Sequence, residues 1–402
     1  MIRHTHNNIP LVVLSAGGTG GHIFPAEALA MELNNRGCRL ALVTDRRGSN
    51  LGGRLGELDT YRVRSGGISG KGLFARILNI GEIAIGVLQS CCLLGRLNPS
   101  VVIGFGGYAS LPMMLAANFS STATAIHEQN ALLGRANRLL SRKVRKIATS
   151  YKQMQHMPKS ARANVVYTGM PVRNSVEALR ETPYPELKER NIIELLVFGG
   201  SQGASIFSRV VPDAIKQLDQ KLRGRLNLVQ QCRVEDYGHL KSAYNQLGLQ
   251  VEVAAFFDDL PQRMAKSHLV ICRAGASAIA ELTTIGRPAI LVPYPHAVDN
   301  HQSGNAHTLN EVGGGWLIPD EAFTPESLSH RLETLFEMPK TLKNAARAAK
   351  QAGETNATAR LAELVIDLIP NHRDQWDAGG VAFGSRPAGP AVVTATTSGA
   401  AG

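Results

Sequence analysis

A buried strand that runs into a glycine-rich loop and then a helix occurs twice in this chain, about 180 residues apart. The two apolar runs of strand length are Leu11 to Ser15 and Glu194 to Phe198, and the loops after them are Gly17 to Gly21 and Gly199 to Gly203. Continuous apolar strands are typical of parallel sheets buried on both faces. The repeat predicts an α/β fold with two Rossmann-like, doubly wound parallel-sheet domains that face a common cleft.

The segment between the two units, Pro171 to Arg190, is rich in proline and charge, as interdomain linkers often are. A length of 402 residues also suits two domains better than one. We therefore predict an N-terminal domain over residues 1–172, a C-terminal domain over 173–352, a final helix over 353–370 and a disordered low-complexity tail over 371–402.

Composition and charge limit the class of protein. The chain is 44% hydrophobic and 19% charged, which excludes a mostly disordered protein. Its five cysteines are scattered with no CxxC pair, so we expect a reducing compartment and neither a disulfide framework nor a structural zinc site. Residues 1–175 hold 21 Lys and Arg against 7 Asp and Glu, in a chain of net charge +11. This basic half either meets an anionic surface, such as nucleic acid or anionic lipid, or only keeps the protein soluble.

One amphipathic segment in the basic half favours the lipid alternative. Its apolar side chains fall on one helical face beside basic residues, as in helices that lie in a membrane interface, although a core-facing stripe gives the same pattern. The amphipathic segment consists of Lys71, Leu73, Phe74, Ile77 and Leu78.

We expect no targeting segment, and no membrane span within Leu97 to Ile126, because glycines and Pro112 interrupt that stretch.

The first glycine-rich loop places backbone N–H groups at the start of a helix, where phosphate or another anion binds favourably. The loop departs from the dinucleotide fingerprint at its last position, Ile23, and lacks the lysine of a P-loop. Asp45, at the end of the second predicted strand, can mimic a ribose-binding acid, so an NAD-dependent oxidoreductase stays an alternative. His22 in this loop is suited either to take a proton from an attacking hydroxyl or to cap the helix.

The C-terminal domain offers a second set of polar groups. Its glycine-rich loop contains Ser201, and a further turn begins at Arg273 and opens a helix that carries Glu281. Arg273 is suited to neutralise a phosphate, and Glu281 either accepts from sugar hydroxyls or is an ordinary surface acid. Two anion-binding turns and an acid in one domain favour a nucleotide diphosphate as ligand. No HExxH or His/Cys spacing indicates a metal site.

Seven short motifs follow one another between about Leu11 and Ile369. They are Gly17-Gly18-Thr19-Gly20-Gly21-His22, Gly106-Gly107-Tyr108, His127-Glu128-Gln129-Asn130, Gly169-Met170-Pro171-Val172-Arg173, Gly199-Gly200-Ser201-Gln202-Gly203-Ala204, Arg273-Ala274-Gly275-Ala276 and Asp299-Asn300-His301-Gln302. In this order they closely resemble the MurG family, the peptidoglycan UDP-N-acetylglucosamine transferases. Met170 stands where Asn is frequent in the family, and His301 stands where some members have Gln.

The resemblance implies a two-domain GT-B glycosyltransferase that inverts the anomeric carbon and uses no cofactor or catalytic metal. It implies UDP-GlcNAc as donor, undecaprenyl-diphosphate-MurNAc-pentapeptide as acceptor and a β-1,4 bond as product. The N-terminal domain would face the acceptor and an anionic membrane surface, the C-terminal domain would bind the donor, and the final helix would return to the N-terminal domain. We expect a peripheral enzyme on the cytoplasmic face of the inner membrane, with no nucleic-acid partner and with room for association with other cell-wall or division proteins. A non-catalytic nucleotide-sugar sensor is the remaining alternative.

The resemblance also implies roles for single residues. His22 becomes the base for the acceptor hydroxyl, with Glu128 as the other candidate, while Tyr108 helps to place the acceptor. Ser201 would contact the diphosphate and Glu281 the ribose. The other implied substrate contacts are Gln302 at the GlcNAc hydroxyls, Phe257, Arg273 and Ala276 on the uracil side, and Thr19, Gly20, Gly21, Asn130 and Arg173 on the opposite wall of the cleft.

Overall fold

The computed structural model describes residues 9–18, 20–46, 54–66, 73–188, 191–200 and 203–370, without the side chains of residues 54 and 73–77. Several predicted features lie outside the described part of the chain. They are Thr19, Lys71, Ser201, the side chains of Leu73, Phe74 and Ile77, and the tail over 371–402.

The first half folds around a seven-stranded parallel sheet. Its strands are β1 (Leu11–Ser15), β2 (Arg39–Thr44), β3 (Asp59–Arg62), β4 (Val101–Gly104), β5 (Ala123–Glu128), β6 (Lys146–Thr149) and β7 (Val165–Tyr167). Its helices are α1 (Gly20–Asn35), α2 (Leu73–Leu97), α3 (Gly107–Asn118) and α4 (Arg135–Leu140). The strand order is β3-β2-β1-β4-β5-β6-β7.

The second half repeats this arrangement around six parallel strands in the order β10-β9-β8-β11-β12-β13. The strands are β8 (Ile193–Phe198), β9 (Leu226–Gln231), β10 (Val251–Ala254), β11 (Leu269–Cys272), β12 (Ala289–Leu291) and β13 (Gly315–Leu317). The helices after β7 are α5 (Asn174–Glu177), α6 (Ser205–Gln217), α7 (Gln220–Arg223), α8 (Tyr237–Gln246), α9 (Leu260–Lys266), α10 (Ala276–Ile285), α11 (His301–Glu311), α12 (Pro325–Glu337), α13 (Pro339–Ala352) and α14 (Ala357–Ile366).

Helices cover both faces of the first sheet, which is why its central strand is wholly apolar up to Ser15. Val12 and Leu14 of β1 belong to one core, while Leu11 and Val13 belong to the core on the opposite face. The strand order reverses between β1 and β4, and again between β8 and β11. Loops on either side of such a switch point diverge and leave a crevice at the carboxyl ends of the strands. The two Rossmann-like sheets of the prediction are therefore confirmed.

The final helix α14 packs in the core of the first sheet, although the second sheet precedes it in the chain. Leu361 and Val365 are fully buried in the same cluster as Leu29 and Leu33 of α1. The segment before α14 is also tied to the end of the first sheet, since the Tyr167 hydroxyl donates to the Glu354 carboxylate. The domain boundaries themselves stay predictions.

Three local features differ from the sequence prediction. From the sequence we expect the first helix to begin near Phe24, after the glycine-rich loop. Helix α1 begins at Gly20, so the last two glycines of the loop are already helical despite their low intrinsic propensity. From the sequence we expect the polar motif His127-Glu128-Gln129-Asn130 to follow a strand that ends at Ile126. Strand β5 extends through Glu128, so the first two residues of the motif lie in the sheet. The helical stretch Leu78–Leu97 of α2 is long and apolar enough to cross a bilayer, although a helix in the core of a soluble protein can have the same length and hydropathy.

Candidate active site

A pocket of about 260 Å³ opens at the switch point of the first sheet. The glycine-rich loop after β1 and the loop before α3 form one wall, and residues from the second half, Val298, Asp299 and His301, close the rim. Helices α1 and α3 both begin here, so their free N–H groups and positive dipole ends converge on the pocket. The site is therefore suited to an anionic ligand. Predicted residues Gly20 and Gly21 are the first two residues of α1.

His22 lies in the first turn of α1 and lines this pocket. Its Nδ1 atom is 3.1 Å from Oε1 of Gln129, which follows β5. Burial lowers the pKa of His22, an effect that the nearby Glu128 carboxylate opposes. Burial also lowers the pKa of His127, to about 4. Both imidazoles are therefore neutral at physiological pH, as a general base must be before it accepts a proton.

Glu128, the second predicted base, is buried and already surrounded by donors. Its Oε1 accepts from the backbone and side-chain nitrogens of Asn130, both at 3.1 Å. Its Oε2 accepts from Gly134 N at 2.9 Å and from Asn137 Nδ2 at 2.8 Å. With four donors on two oxygens, this carboxylate holds the turn between β5 and α4 in place. Tyr108, the predicted acceptor residue, lines the pocket beside it.

On the donor side, the structure brings Arg173 and Glu281 together. Arg173 Nη2 donates to Glu281 Oε1 at 2.8 Å, and the Arg173 guanidinium lies 4.3 Å from the ring centre of Phe24. Burial raises the pKa of Glu281, while Arg173 opposes that rise. Glu281 is therefore not an ordinary surface acid, and this pair links the entry of the second half to α10.

The other predicted donor-side residues lie on separate loops and helices of the second half. Arg273 Nη1 donates to the carbonyl of Pro293 at 3.0 Å and to the Asp320 carboxylate, so its charge is already partly engaged. Gln302 Oε1 accepts from Tyr294 N at 2.9 Å. Phe257 is buried under the guanidinium of Arg263. Ala276 is the first residue of α10, next to the turn predicted to face the uracil.

Two contacts join the halves beside the pocket, and sequence reasoning assigned them no role. Asn305 of α11 is fully buried; its Oδ1 accepts from Ala131 N at 2.9 Å, and its Nδ2 donates to Asn130 Oδ1 at 3.0 Å. Asp299 accepts from Arg135 Nη2 of α4 at 2.6 Å. That guanidinium lowers the pKa of the Asp299 carboxyl. No periodicity or motif could have revealed pairs more than 160 residues apart.

The exposed face of α2 extends the predicted membrane segment. Leu78, the last residue of that segment, is 56% exposed, and Ile85 and Leu88 continue the apolar face with 40% and 67% exposure. Cys91 and Cys92 lie exposed farther along the same helix. The opposite side of α2 packs on α3. The predicted amphipathic segment ends at Leu78, because the residues after it carry too few charges to give an amphipathic pattern in the sequence.

Residues 12–149 match the Glycosyltransferase family 28 N-terminal domain, and residues 194–361 match the Glycosyltransferase family 28 C-terminal domain. With two Rossmann-like sheets and a site at their switch points, the chain is a two-domain glycosyltransferase of the GT-B class. This membership excludes the oxidoreductase alternative, and Asp45 instead accepts from Ser65 Oγ at 3.0 Å.

Individual relatives narrow the class to one family. The UDP-N-acetylglucosamine--N-acetylmuramyl-(pentapeptide) pyrophosphoryl-undecaprenol N-acetylglucosamine transferase of Paramagnetospirillum magneticum is 51% identical over 362 residues, which are 90% of this chain and 98% of that protein. The protein of the same name from Rhodospirillum rubrum is 51% identical over 367 residues, 91% and 94% of the two chains. The crystal structure of Acinetobacter baumannii MurG aligns with a TM-score of 0.71 and 28% identity, covering 89% of this chain and 99% of that one. The chain belongs to the MurG family.

Proposed function

We propose that this protein transfers GlcNAc from UDP-GlcNAc to undecaprenyl-diphosphate-MurNAc-pentapeptide and forms a β-1,4 bond with inversion. The observation that carries the proposal is the placement of His22. A neutral histidine lines a pocket where two helix N-termini converge and where residues of both halves meet. An anionic acceptor and a proton-accepting group are thereby brought to one place.

In the proposed reaction, the MurNAc 4-hydroxyl attacks the anomeric carbon of GlcNAc. The new C–O bond forms as the bond from that carbon to the UDP diphosphate breaks, and the hydroxyl proton passes to the His22 ring. UDP leaves with the bonding electron pair. Helix N-termini and the cationic side chains of Arg173 and Arg273 are suited to stabilise its developing charge. Glu281, held by Arg173, is suited to accept from the ribose hydroxyls.

The proposal assigns the remaining predicted residues to the two substrates. Ser201 would bind the diphosphate, and Phe257 and Ala276 the uracil. Gln302 would bind the GlcNAc hydroxyls, while Thr19, Gly20, Gly21 and Asn130 would line the wall opposite the donor, with Tyr108 placing the acceptor. These assignments are supported by the resemblance of the chain's seven motifs to the MurG family.

We also propose that the protein docks peripherally on the cytoplasmic face of the inner membrane through α2 and the segment before it. The exposed apolar face from Leu78 to Leu88 supports this, as does the basic excess of the first half. Lys71, Leu73, Phe74 and Ile77 would extend the same surface toward the N-terminal end of the helix. Docking would bring the pocket to an acceptor whose lipid stays in the bilayer.

Transfer of labelled GlcNAc from UDP-GlcNAc to a lipid-diphosphate-MurNAc-peptide acceptor tests the activity. We expect the wild type to transfer and His22→Ala to lose roughly 100-fold or more in kcat, the scale of a lost general base. His330→Ala removes an exposed histidine of α12 and is the matched control, with an unchanged rate. Tight UDP-GlcNAc binding without transfer by the wild type would contradict the proposal and favour the sensor alternative.

A further inference from the structure

We propose that Gln129 is a positioning residue that fixes the tautomer of His22, keeping the proton on Nδ1 and leaving Nε2 free to accept the acceptor's proton. The inference rests on the proposed role of His22 as base, but the tautomer itself can be measured without any activity. It is carried by the hydrogen bonds around the Gln129 side-chain amide, which is almost fully buried.

Two backbone carbonyls determine which way this amide points. Its Nε2 lies 2.9 Å from the carbonyl oxygen of Phe105 and 3.2 Å from that of His127. Carbonyl oxygens only accept hydrogen bonds, so the NH₂ group must face them, since a flipped amide would set oxygen against oxygen. Oε1 must therefore face His22 Nδ1, 3.1 Å away.

The orientation of the amide decides the tautomer of His22. Because Oε1 can only accept, the hydrogen bond forms when His22 Nδ1 carries the proton. A neutral imidazole has one N–H, so Nε2 is then left with its lone pair. Space next to Nε2 is kept open by Gly107, where an added Cβ would lie 3.4 Å from that nitrogen.

The same amide reaches a second histidine behind it. Gln129 Nε2 lies 3.1 Å from His127 Nδ1, and its two hydrogens serve three acceptors, so one of them is shared. Because an N–H group faces it, His127 Nδ1 is the unprotonated nitrogen and His127 carries its own proton on Nε2. That nitrogen lies 3.4 Å from both the Gly169 carbonyl oxygen and Ser150 Oγ. Burial lowers the pKa of His127 to about 4, so this imidazole is neutral near pH 7 and its Nδ1 stays an acceptor for the Gln129 amide.

The side-chain amide of Gln129 is held rigidly, because its hydrogen-bond partners belong to adjacent strands of the first sheet. Phe105 follows β4 and His127 lies in β5, and these strands pair in parallel register. Two further ionisable groups act on His22 from the surrounding elements. Glu128 at the end of β5 raises its pKa, and His301 of α11 lowers it. Neither of them forms the Nδ1 hydrogen bond, which Gln129 Oε1 accepts at 3.1 Å. The backbone of Phe105, to which the Gln129 amide is itself bound, also acts on His22 as a hydrogen-bond partner and raises its pKa.

Nitrogen NMR of the full chain with ¹⁵N-labelled histidine tests the inference directly. The His22 signals are assigned by their loss in His22→Asn. Above the pKa of His22, we expect its Nδ1 to give the signal of a protonated nitrogen and its Nε2 that of an unprotonated one. A proton on Nε2 in the wild type would overturn the inference, even if GlcNAc transfer and its dependence on His22 are confirmed.

A double-mutant cycle tests the consequence for catalysis. Gln129→Leu keeps a similar volume but removes the acceptor, so we expect a second His22 tautomer in the spectrum and a loss of about 10-fold or more in kcat, with the KM for UDP-GlcNAc retained. In the His22→Ala background the same change should cost nothing further, because there is no ring left to orient. An equal loss in both backgrounds would mean general structural damage and would overturn the role of Gln129.

Discussion

At the residue scale, the roles of His22 and Glu128 can be separated by charge. Each Glu128 oxygen accepts two hydrogen bonds, whereas His22 faces the pocket with a pKa lowered by burial. Glu128→Gln places an NH₂ group against two of those donors, so we expect it to lower the free energy of unfolding by about 1–3 kcal/mol. The transfer rate should fall with it, because the turn that carries Asn130 is disturbed.

The pH profile of this variant distinguishes a base from a structural carboxylate. A neutral His22 accepts the proton, so kcat/KM should fall as the pH drops through the pKa of His22. Since the Glu128 carboxylate raises that pKa, its removal should move the fall to lower pH. Measurement of kcat/KM across pH checks this, and a variant whose rate no longer falls in acid would identify Glu128 as the base.

At the scale of single elements, the exposed apolar face of α2 predicts that this helix contributes to membrane binding. Leu88 is the most exposed of the large apolar side chains that the structure describes on this helix, from Leu78 onward. Burial of a leucine contributes about 1.5–3 kcal/mol, so Leu88→Asp should weaken binding to vesicles of phosphatidylglycerol and phosphatidylethanolamine by roughly 10-fold or more. UDP-GlcNAc binding should not change.

Vesicle co-sedimentation measures this effect, with Val234→Asp as the matched control. Val234 is likewise exposed but lies in the second half, away from α2. The control should bind vesicles as the wild type does. Equal binding by Leu88→Asp and the wild type would remove α2 from the docking surface.

The elements also show where sequence reasoning succeeds. The strand Leu11–Ser15 was predicted with its observed bounds, because a strand buried on both faces must be apolar throughout. The sequence did not predict how far the exposed apolar face of α2 extends, because the helix has few charged residues to distinguish its exposed side from its packed side. In the site, motifs predicted which loops meet, but not that Gln129 touches His22 or that Arg173 pairs with Glu281. Such pairs depend on how strands are ordered in the sheet, which periodicity does not encode.

At the scale of the whole molecule, the chain passes between the two halves twice. It leaves the first sheet after Tyr167 and returns just before α14, and the two passages are joined where Arg360 Nε donates to the Thr168 carbonyl at 3.0 Å. Arg360 Nη2 also donates to Glu354 at 2.8 Å. The first sheet is therefore complete only when the last helix has been added, so its stability depends on residues at the far end of the fold.

A substitution at Leu361 tests whether the stability of the first sheet depends on α14, because this side chain is fully buried in the core between α14, α1 and the first sheet. Leu361→Ala should lower the free energy of unfolding by about 2–5 kcal/mol, the range for a large-to-small change in a core. Glu363→Ala, on the exposed side of the same helix, should change it by no more than about 0.5 kcal/mol. Urea unfolding followed by circular dichroism compares the two. If the first half unfolds in a separate transition, Leu361→Ala should lower the urea midpoint of that transition. Equal urea midpoints for Leu361→Ala and Glu363→Ala would mean that the first sheet is stable without its final helix.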